Sequence, residues 1–308
     1  MPPWRVWLRK IDFWRWLSWL RWAFSLIQRL VDVIYRQSWL RSWIRLGYAA
    51  KGSVYFVIGL IAVRALLLPG RSVSGTDGAL VEILVQPFGR VFLGILCIAL
   101  LGYVIWRFIQ TLLDPEHDKT LSLQRIVQRL GYFTSGASYA GVAYSAFELA
   151  TGTNEVQEGD DAIEDLVTTL FEIPFGEWLI VLGALVVIGI GLSYVYGAIN
   201  GSYLSEFHDS ADRAIATWVK RIGKVGIAAR GTAFLLIGLF IANAAFYHDE
   251  DAAGGLSNAL QNLRSQPFGF GGLGLIALGF IAYGVYMYFA ARYRQFFESP
   301  PSPPQNQP

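Results

Sequence analysis

Arg64, Glu148 and Asn243 are the polar side chains whose spacing most invites joint chemistry. Each stands seventeen residues after a glycine that opens a recurring motif, at Gly47, Gly131 and Gly226, inside an otherwise apolar run. A cation, a carboxylate and an amide complement one another, and charge persists in lipid chiefly when paired in this way. If the three runs surround a common axis, these residues meet as an intramembrane polar cluster. At about 1.5 Å per residue they also lie roughly 25 Å from their glycines, near the far surface of a bilayer, where Arg64 and Glu148 can instead reach water. Lys51 and Arg230 offer a second chemistry. Each stands four residues after an opening glycine and just before another, Gly52 or Gly231, an arrangement that suits an interfacial phosphate or other anion, or a side chain snorkelling to the headgroups. The middle stretch has Ser135 at that place and so lacks the charge.

Other chemistries find little support. The single cysteine, Cys97, excludes an internal disulfide and a cysteine-based metal site. His117, His208 and His248 fall between the apolar runs with no ligand spacing to one another. Gly269–Gly274 reads G-x-G-x-x-G, but no strand precedes it and the equivalent segments lack the pattern, so a dinucleotide site is not expected. Asp160, Asp161, Glu164 and Asp165 form an acidic cluster within 154–165 that reads as a solvated loop, with an external cation as the alternative. No Walker A, nucleophile elbow, His-Glu-x-x-His or EF-hand sequence occurs. The expectation is a non-enzymatic chain without catalytic residues, metal or cofactor.

The elements that carry these residues are membrane helices. Of 308 residues 54% are hydrophobic and only 16% charged, against about 25% charged in an ordinary globular chain. Mean hydropathy is +0.41. Apolar runs at 47–68, 88–106, 130–150, 178–199, 225–246 and 271–291 approach the roughly 20 residues that cross a bilayer as a helix. They are continuous rather than alternating, which selects helices over a barrel. Basic residues accumulate in every second gap. Residues 1–46 hold nine Lys or Arg against two acids, whereas 151–177 holds eight acids and no base. The positive-inside rule then places both termini in the cytoplasm and the acidic gaps outside.

The runs come in three parallel copies of a two-helix unit, at 44–113, 126–200 and 222–293. Odd helices open on Gly47 and Gly52, Gly131 and Gly136, or Gly226 and Gly231. Even helices open on Pro-Phe-Gly, namely Pro87, Phe88 and Gly89, then Pro174, Phe175 and Gly176, then Pro267, Phe268 and Gly269. From first glycine to proline the distances are 40, 43 and 41 residues. Pro suits the first helical turn, where its missing N–H has no intrahelical partner, and Gly lets a neighbouring backbone approach. Apolar pairs before each proline, Leu80 and Ile83, Val167 and Leu170, Leu260 and Leu263, predict a short amphipathic helix on the outer surface. This pattern resembles the domain of unknown function 1206 family of bacterial membrane proteins, over about residues 44–293. The resemblance implies a bacterial membrane protein with three such domains and supplies no activity; Ser135 departs from the basic residue the pattern has at that position.

Residues 1–43 carry eight of the 11 tryptophans interleaved with arginine, over an amphipathic pattern from Phe13 to Ile34. A seventh span there would bury Arg15, Arg21, Arg29 and Asp32 at about 2.5–3.5 kcal/mol each. A Trp-anchored helix lying among anionic cytoplasmic headgroups is the better reading, and nucleic acid is not expected as a partner. No signal peptide is expected, since basic residues interrupt any early apolar core. Residues 299–308 hold five prolines and read as a disordered tail. The expectation is thus an all-α, multi-pass protein of the bacterial plasma membrane with six spans. Its role reads as a non-catalytic scaffold or lipid- or partner-interacting protein, with a transporter or channel between the repeats as the alternative.

Overall fold

The computed structural model describes residues 37–68, 72–113, 123–153, 159–206, 213–248 and 253–294. The expected interfacial helix up to residue 36, the tail at 299–308, His117, His208, the loop 154–158 and the side chains of Asp160 and Asp161 lie outside the described residues. Six long helices recur in pairs: α1 (Ser38–Leu67) with α3 (Gly89–Leu113), α4 (Leu123–Thr151) with α6 (Gly176–Asn200), and α7 (Arg213–Tyr247) with α9 (Gly269–Tyr293). Between the members of each pair lies a short helix: α2 (Thr76–Leu84), α5 (Gly159–Phe171) or α8 (Leu256–Ser265). Five long helices are long and apolar enough to cross a membrane; α4, 29 residues long, is the more polar sixth because Ser, Thr and Tyr interrupt its apolar positions. The chain divides into two compact units at Ser42 and Trp43, next to the expected boundary at residue 43.

The short helices bury the residues their spacing selected. Leu80, Val167 and Leu260 are buried, and Ile83, Leu170 and Leu263 partly so. Val167 joins Ile180, Ala244, Ala245 and Ala253 in an apolar cluster that ties α5 to α6 and α7. Copies 1 and 3 interlock at this end: the Ser257 hydroxyl accepts from the Gly75 amide at 2.8 Å, and Gln261 Nε2 donates to the Val73 carbonyl at 3.1 Å.

Each Pro-Phe-Gly makes a tight turn closed by the same hydrogen bond, although Phe268 has φ −109° where the other two phenylalanines are left-handed. The glycine amide donates back to the residue before the proline, at 2.9 Å (Gly89 to Gln86), 3.0 Å (Gly176 to Ile173) and 2.8 Å (Gly269 to Gln266). Proline therefore occupies the second turn position, which its fixed φ suits, and the helix opens two residues later. That corrects the expectation of proline inside the first helical turn. Phe88 and Phe175 take the left-handed conformation at φ 64° and 66°, a cost of about 1–2 kcal/mol for a side chain with a Cβ. The glycine is obligatory for a steric reason. A Cβ on Gly89, Gly176 or Gly269 would lie 2.2, 1.6 or 2.1 Å from a carbonyl oxygen at the end of the preceding short helix.

Close helix packing also runs through glycine. Gly52 of α1 meets Gly284 of α9, and Gly59 meets Ala277 and Ile281. Gly47 lies on Ala99 and Tyr103 of α3, Gly226 of α7 on Tyr283 of α9, and Gly231 and Gly238 of α7 on Gly191 and Ala184 of α6. With α3 against α4, the long helices follow one another as α4, α3, α1, α9, α7 and α6. Gly131 of α4 and Gly189 of α6 have nothing within 4 Å of a Cβ built on them.

Candidate functional site

Among the described residues four cations lie inside this bundle, all within a tenth of full burial: Lys51 on α1, Arg107 on α3, Arg230 on α7 and Arg294 just past α9. Each reaches a tyrosine. Lys51 Nζ donates to the Tyr103 hydroxyl at 2.7 Å and Arg107 Nε to the same oxygen at 2.6 Å. With two donors on its lone pairs, that hydroxyl has its own proton left for Ser135 Oγ, 2.9 Å away. Arg107 Nη1 donates to Gln110 Oε1 at 2.7 Å, Arg230 Nη1 to the Tyr283 hydroxyl, and Arg294 Nη1 to the Tyr48 hydroxyl at 2.8 Å.

Aromatic faces complete the surroundings. Lys51 Nζ stands 4.5 Å from the Tyr103 ring centre and 4.7 Å from that of Tyr139. The Arg230 guanidinium stands 4.7 Å from Tyr194, 5.1 Å from Tyr283 and 5.5 Å from Tyr55. The rings brace one another edge to face, Tyr103 against Tyr48 at 5.1 Å and Tyr139 at 5.0 Å, and Tyr55 against Tyr283 at 4.7 Å.

The repeat explains this arrangement. Lys51 and Arg230 occupy the same position after the opening glycine, and Tyr103 and Tyr283 both stand sixteen residues after their prolines. The basic residue of the odd helix thus latches onto a tyrosine of its own even helix in copies 1 and 3. Copy 2 has Ser135 and Ile190 at these places, so it lacks both halves of the latch, and Ser135 turns to Tyr103 of copy 1.

The charge balance is one-sided. Arg230, Arg107 and Arg294 are the charges that act on Lys51, all of its own sign. Among the described residues no carboxylate pairs with Lys51, Arg107 or Arg230. The Arg230 Nε is buried and donates to no described group. Desolvation costs several kcal/mol per ion. One hydrogen bond to a charged group contributes about 1.5–3 kcal/mol and a desolvated cation–π contact about 2. Tyrosines can thus roughly offset the desolvation of each cation, but they leave the mutual repulsion unopposed. A bound anion would remove it, and ammonium, guanidinium and hydroxyl donors are the groups that hold phosphate or carboxylate.

The polar trio expected from the spacing is not assembled. Arg64 pairs instead with Glu82 at the end of α2, with both side chains more than a third exposed. Glu148 takes the hydrogen bond of Tyr144, one turn earlier on α4, and Asn243 is exposed on α7. Seventeen residues carry these side chains past the buried centre to the end where the short helices lie, so they find local partners. Lys51 and Arg230 are brought together, though inside the bundle rather than on its lipid-facing rim. Arg107, Arg294 and the tyrosines were missed; equal offsets of Tyr103 and Tyr283 from Pro, and of Tyr55 and Tyr139 from Gly, were the signal available. Among the described residues no three His, Cys, Asp or Glu side chains gather as a metal site.

The profile of the family described as Domain of Unknown Function (DUF1206) matches three times, over residues 46–114, 130–201 and 225–294. The chain belongs to this family. Each DUF1206 match takes in one odd helix, its short helix and one even helix, so the buried cations come from the first and third DUF1206 copies. The uncharacterized protein YxxB of Bacillus subtilis (strain 168) is 30% identical over 251 residues, which cover 80% of this chain and 89% of that protein. No solved structure matches the chain.

Proposed function

We propose that this DUF1206 chain is a non-catalytic, multi-pass protein of the bacterial plasma membrane that binds an anionic ligand in the centre shared by its three copies. The observation that carries the reading is the set of buried cations served by tyrosine hydroxyls and rings, with no described carboxylate beside Lys51, Arg107 or Arg230. Ionisable groups in a membrane bundle are costly and therefore mark function rather than stability. α4 is counted as the sixth span, because its length suffices and its Ser135 and Tyr139 face the centre. Both termini lie in the cytoplasm. The centre then sits towards the cytoplasmic side, where α1 begins and α3 and α9 end. Trp and Arg of residues 1–43 add contacts to anionic headgroups on the same side.

Thermal unfolding of the purified protein in neutral detergent tests the reading. Phosphate should raise the melting temperature to a plateau that chloride at equal ionic strength does not reach, because a ligand bound only by the folded state stabilises it by mass action. Lys51→Gln together with Arg230→Gln should abolish the difference. An equal response to both salts in the unaltered protein would refute the site. A carrier is the second reading, favoured by the placement of the centre between parallel repeats. It predicts saturable anion exchange in vesicles containing the protein, whereas pure binding predicts none.

A further inference from the structure

Lys51 and Arg230 are 0% and 2% exposed, so the centre is closed to solvent and an anion enters it only when side chains move. The two ends of the bundle differ in what must move. Towards the short helices the residues buried beyond Lys51 are apolar, among them Ile58 and Ala62 of α1, Leu93 of α3, and Leu273 and Ala277 of α9. A desolvated charge finds no partner on that side. Towards the other end the polar contacts continue. Arg107 stands one turn beyond Tyr103 on α3 and donates to the same hydroxyl as Lys51, so one oxygen links the two cations. Arg107 passes α4 at Gly136, where a Cβ would lie 3.2 Å from the Arg107 Cβ. Its guanidinium stands 5.1 Å from the ring centre of Tyr132, one turn earlier on α4, and Gln128 Nε2, a further turn back, donates to the Tyr132 hydroxyl at 2.7 Å. Tyr103 is fully enclosed, whereas Tyr132 and Gln128 are only half-buried.

Gln128, Tyr132, Arg107, Tyr103 and Lys51 thus form an unbroken file of polar contacts from the surface to the buried ammonium. The repeat shows which of them can open. Tyr48 and Tyr132 both follow an opening glycine, and both rings face Arg107, that of Tyr48 at 5.9 Å. Tyr48 is buried and takes the Arg294 hydrogen bond, so only Tyr132 can turn aside without opening the core. We propose that Arg107 is the entry subsite of the centre and that the Tyr132 ring, drawn over it, is the gate. A small water-soluble anion passes from the end where α4 begins, over Arg107, to Lys51. This rests on the anion-binding reading above and adds the route and the ligand class. The file consists of amide, phenol, guanidinium and ammonium groups, which exchange hydrogen bonds with a hydrated anion and offer nothing to an acyl chain.

Exchange of labelled for unlabelled inorganic phosphate on the full chain in neutral detergent measures the route, with the equilibrium affinity read alongside. Tyr132→Ala should speed exchange about tenfold, the effect of one partly exposed cation–π contact on an opening equilibrium, and leave the affinity within about twofold. Gln128→Ala keeps the ring but removes its tether, so it should speed exchange about threefold and decides the matter if Tyr132→Ala folds poorly. Arg107→Gln withdraws the charge at the entrance and should slow exchange about tenfold. Ile58→Ala, at the apolar end, should leave the rate unchanged, and dioleoyl phosphatidylglycerol should not displace the phosphate. Phosphate that binds but exchanges no faster in Tyr132→Ala and Gln128→Ala, or no slower in Arg107→Gln, would overturn the entry route and leave the anion centre standing. So would faster exchange in Ile58→Ala, or displacement by phosphatidylglycerol. No phosphate binding by the unaltered protein would overturn both.

Discussion

Tyr103 is the residue on which most of the centre depends, since its one hydroxyl accepts from Lys51 and Arg107 and reaches Ser135. Replacing it by phenylalanine keeps the ring and both cation–π contacts but strands two buried donors. Hydrogen bonds to charged groups contribute about 1.5–3 kcal/mol each, so Tyr103→Phe should lower the unfolding free energy by about 3 kcal/mol or more, as measured by thermal or denaturant unfolding in detergent. Tyr283→Phe, which removes a hydroxyl that accepts from Arg230, should cost about half as much. The exposed pair behaves differently. A double-mutant cycle on Arg64 and Glu82 should return a coupling below about 1 kcal/mol, because both side chains are partly solvated. Lys51 and Arg230 were legible because a charge beside glycine in an apolar run stands out in a sequence. Arg107 and Arg294 were not, because basic residues at helix ends read as positive-inside signals until packing turns them inward. The error over Arg64, Glu148 and Asn243 has the same root: equivalent positions in a repeat share a depth, but only the rotation of each helix decides whether they face one another.

At the scale of the element, the Pro-Phe-Gly turn is the device that reverses the chain between a short helix and the next long one. Gly176→Ala would place a Cβ 1.6 Å from the Leu170 carbonyl oxygen, so it should prevent folding or lower the melting temperature sharply. Gly94→Ala, a few residues into α3 with nothing within 4 Å, should be neutral or stabilise by up to about 1 kcal/mol through helix propensity. A melting comparison of the two variants separates steric need from mere recurrence. The long and short helices were readable because apolar length and three-to-four spacing depend on local pattern alone. The start of α1 at Ser38 was not, because the tryptophans and arginines around it satisfy a surface helix and a membrane helix equally well.

For the whole molecule, copies 1 and 3 of the repeat supply the buried cations, and copy 2 adds Ser135, Tyr139 and Tyr194 beside them. The topology that orients this device has its own test. Reporter fusions after residues 118, 160, 210 and 252 should read cytoplasmic, external, cytoplasmic, external, and two neighbouring fusions on one side would remove a span. A single cysteine at residue 5, in a Cys97→Ser background, should be labelled only from the cytoplasm, and labelling from outside would mean that the Trp-rich segment crosses. The central claim is that the buried cations hold an anion, and phosphorus analysis of the protein after extraction into neutral, phosphate-free detergent addresses it most directly. The account predicts stoichiometric phosphorus that survives repeated detergent exchange and is lost from the folded Lys51→Gln, Arg230→Gln double variant. Phosphorus absent from the unaltered protein, or retained equally by the double variant, would contradict it.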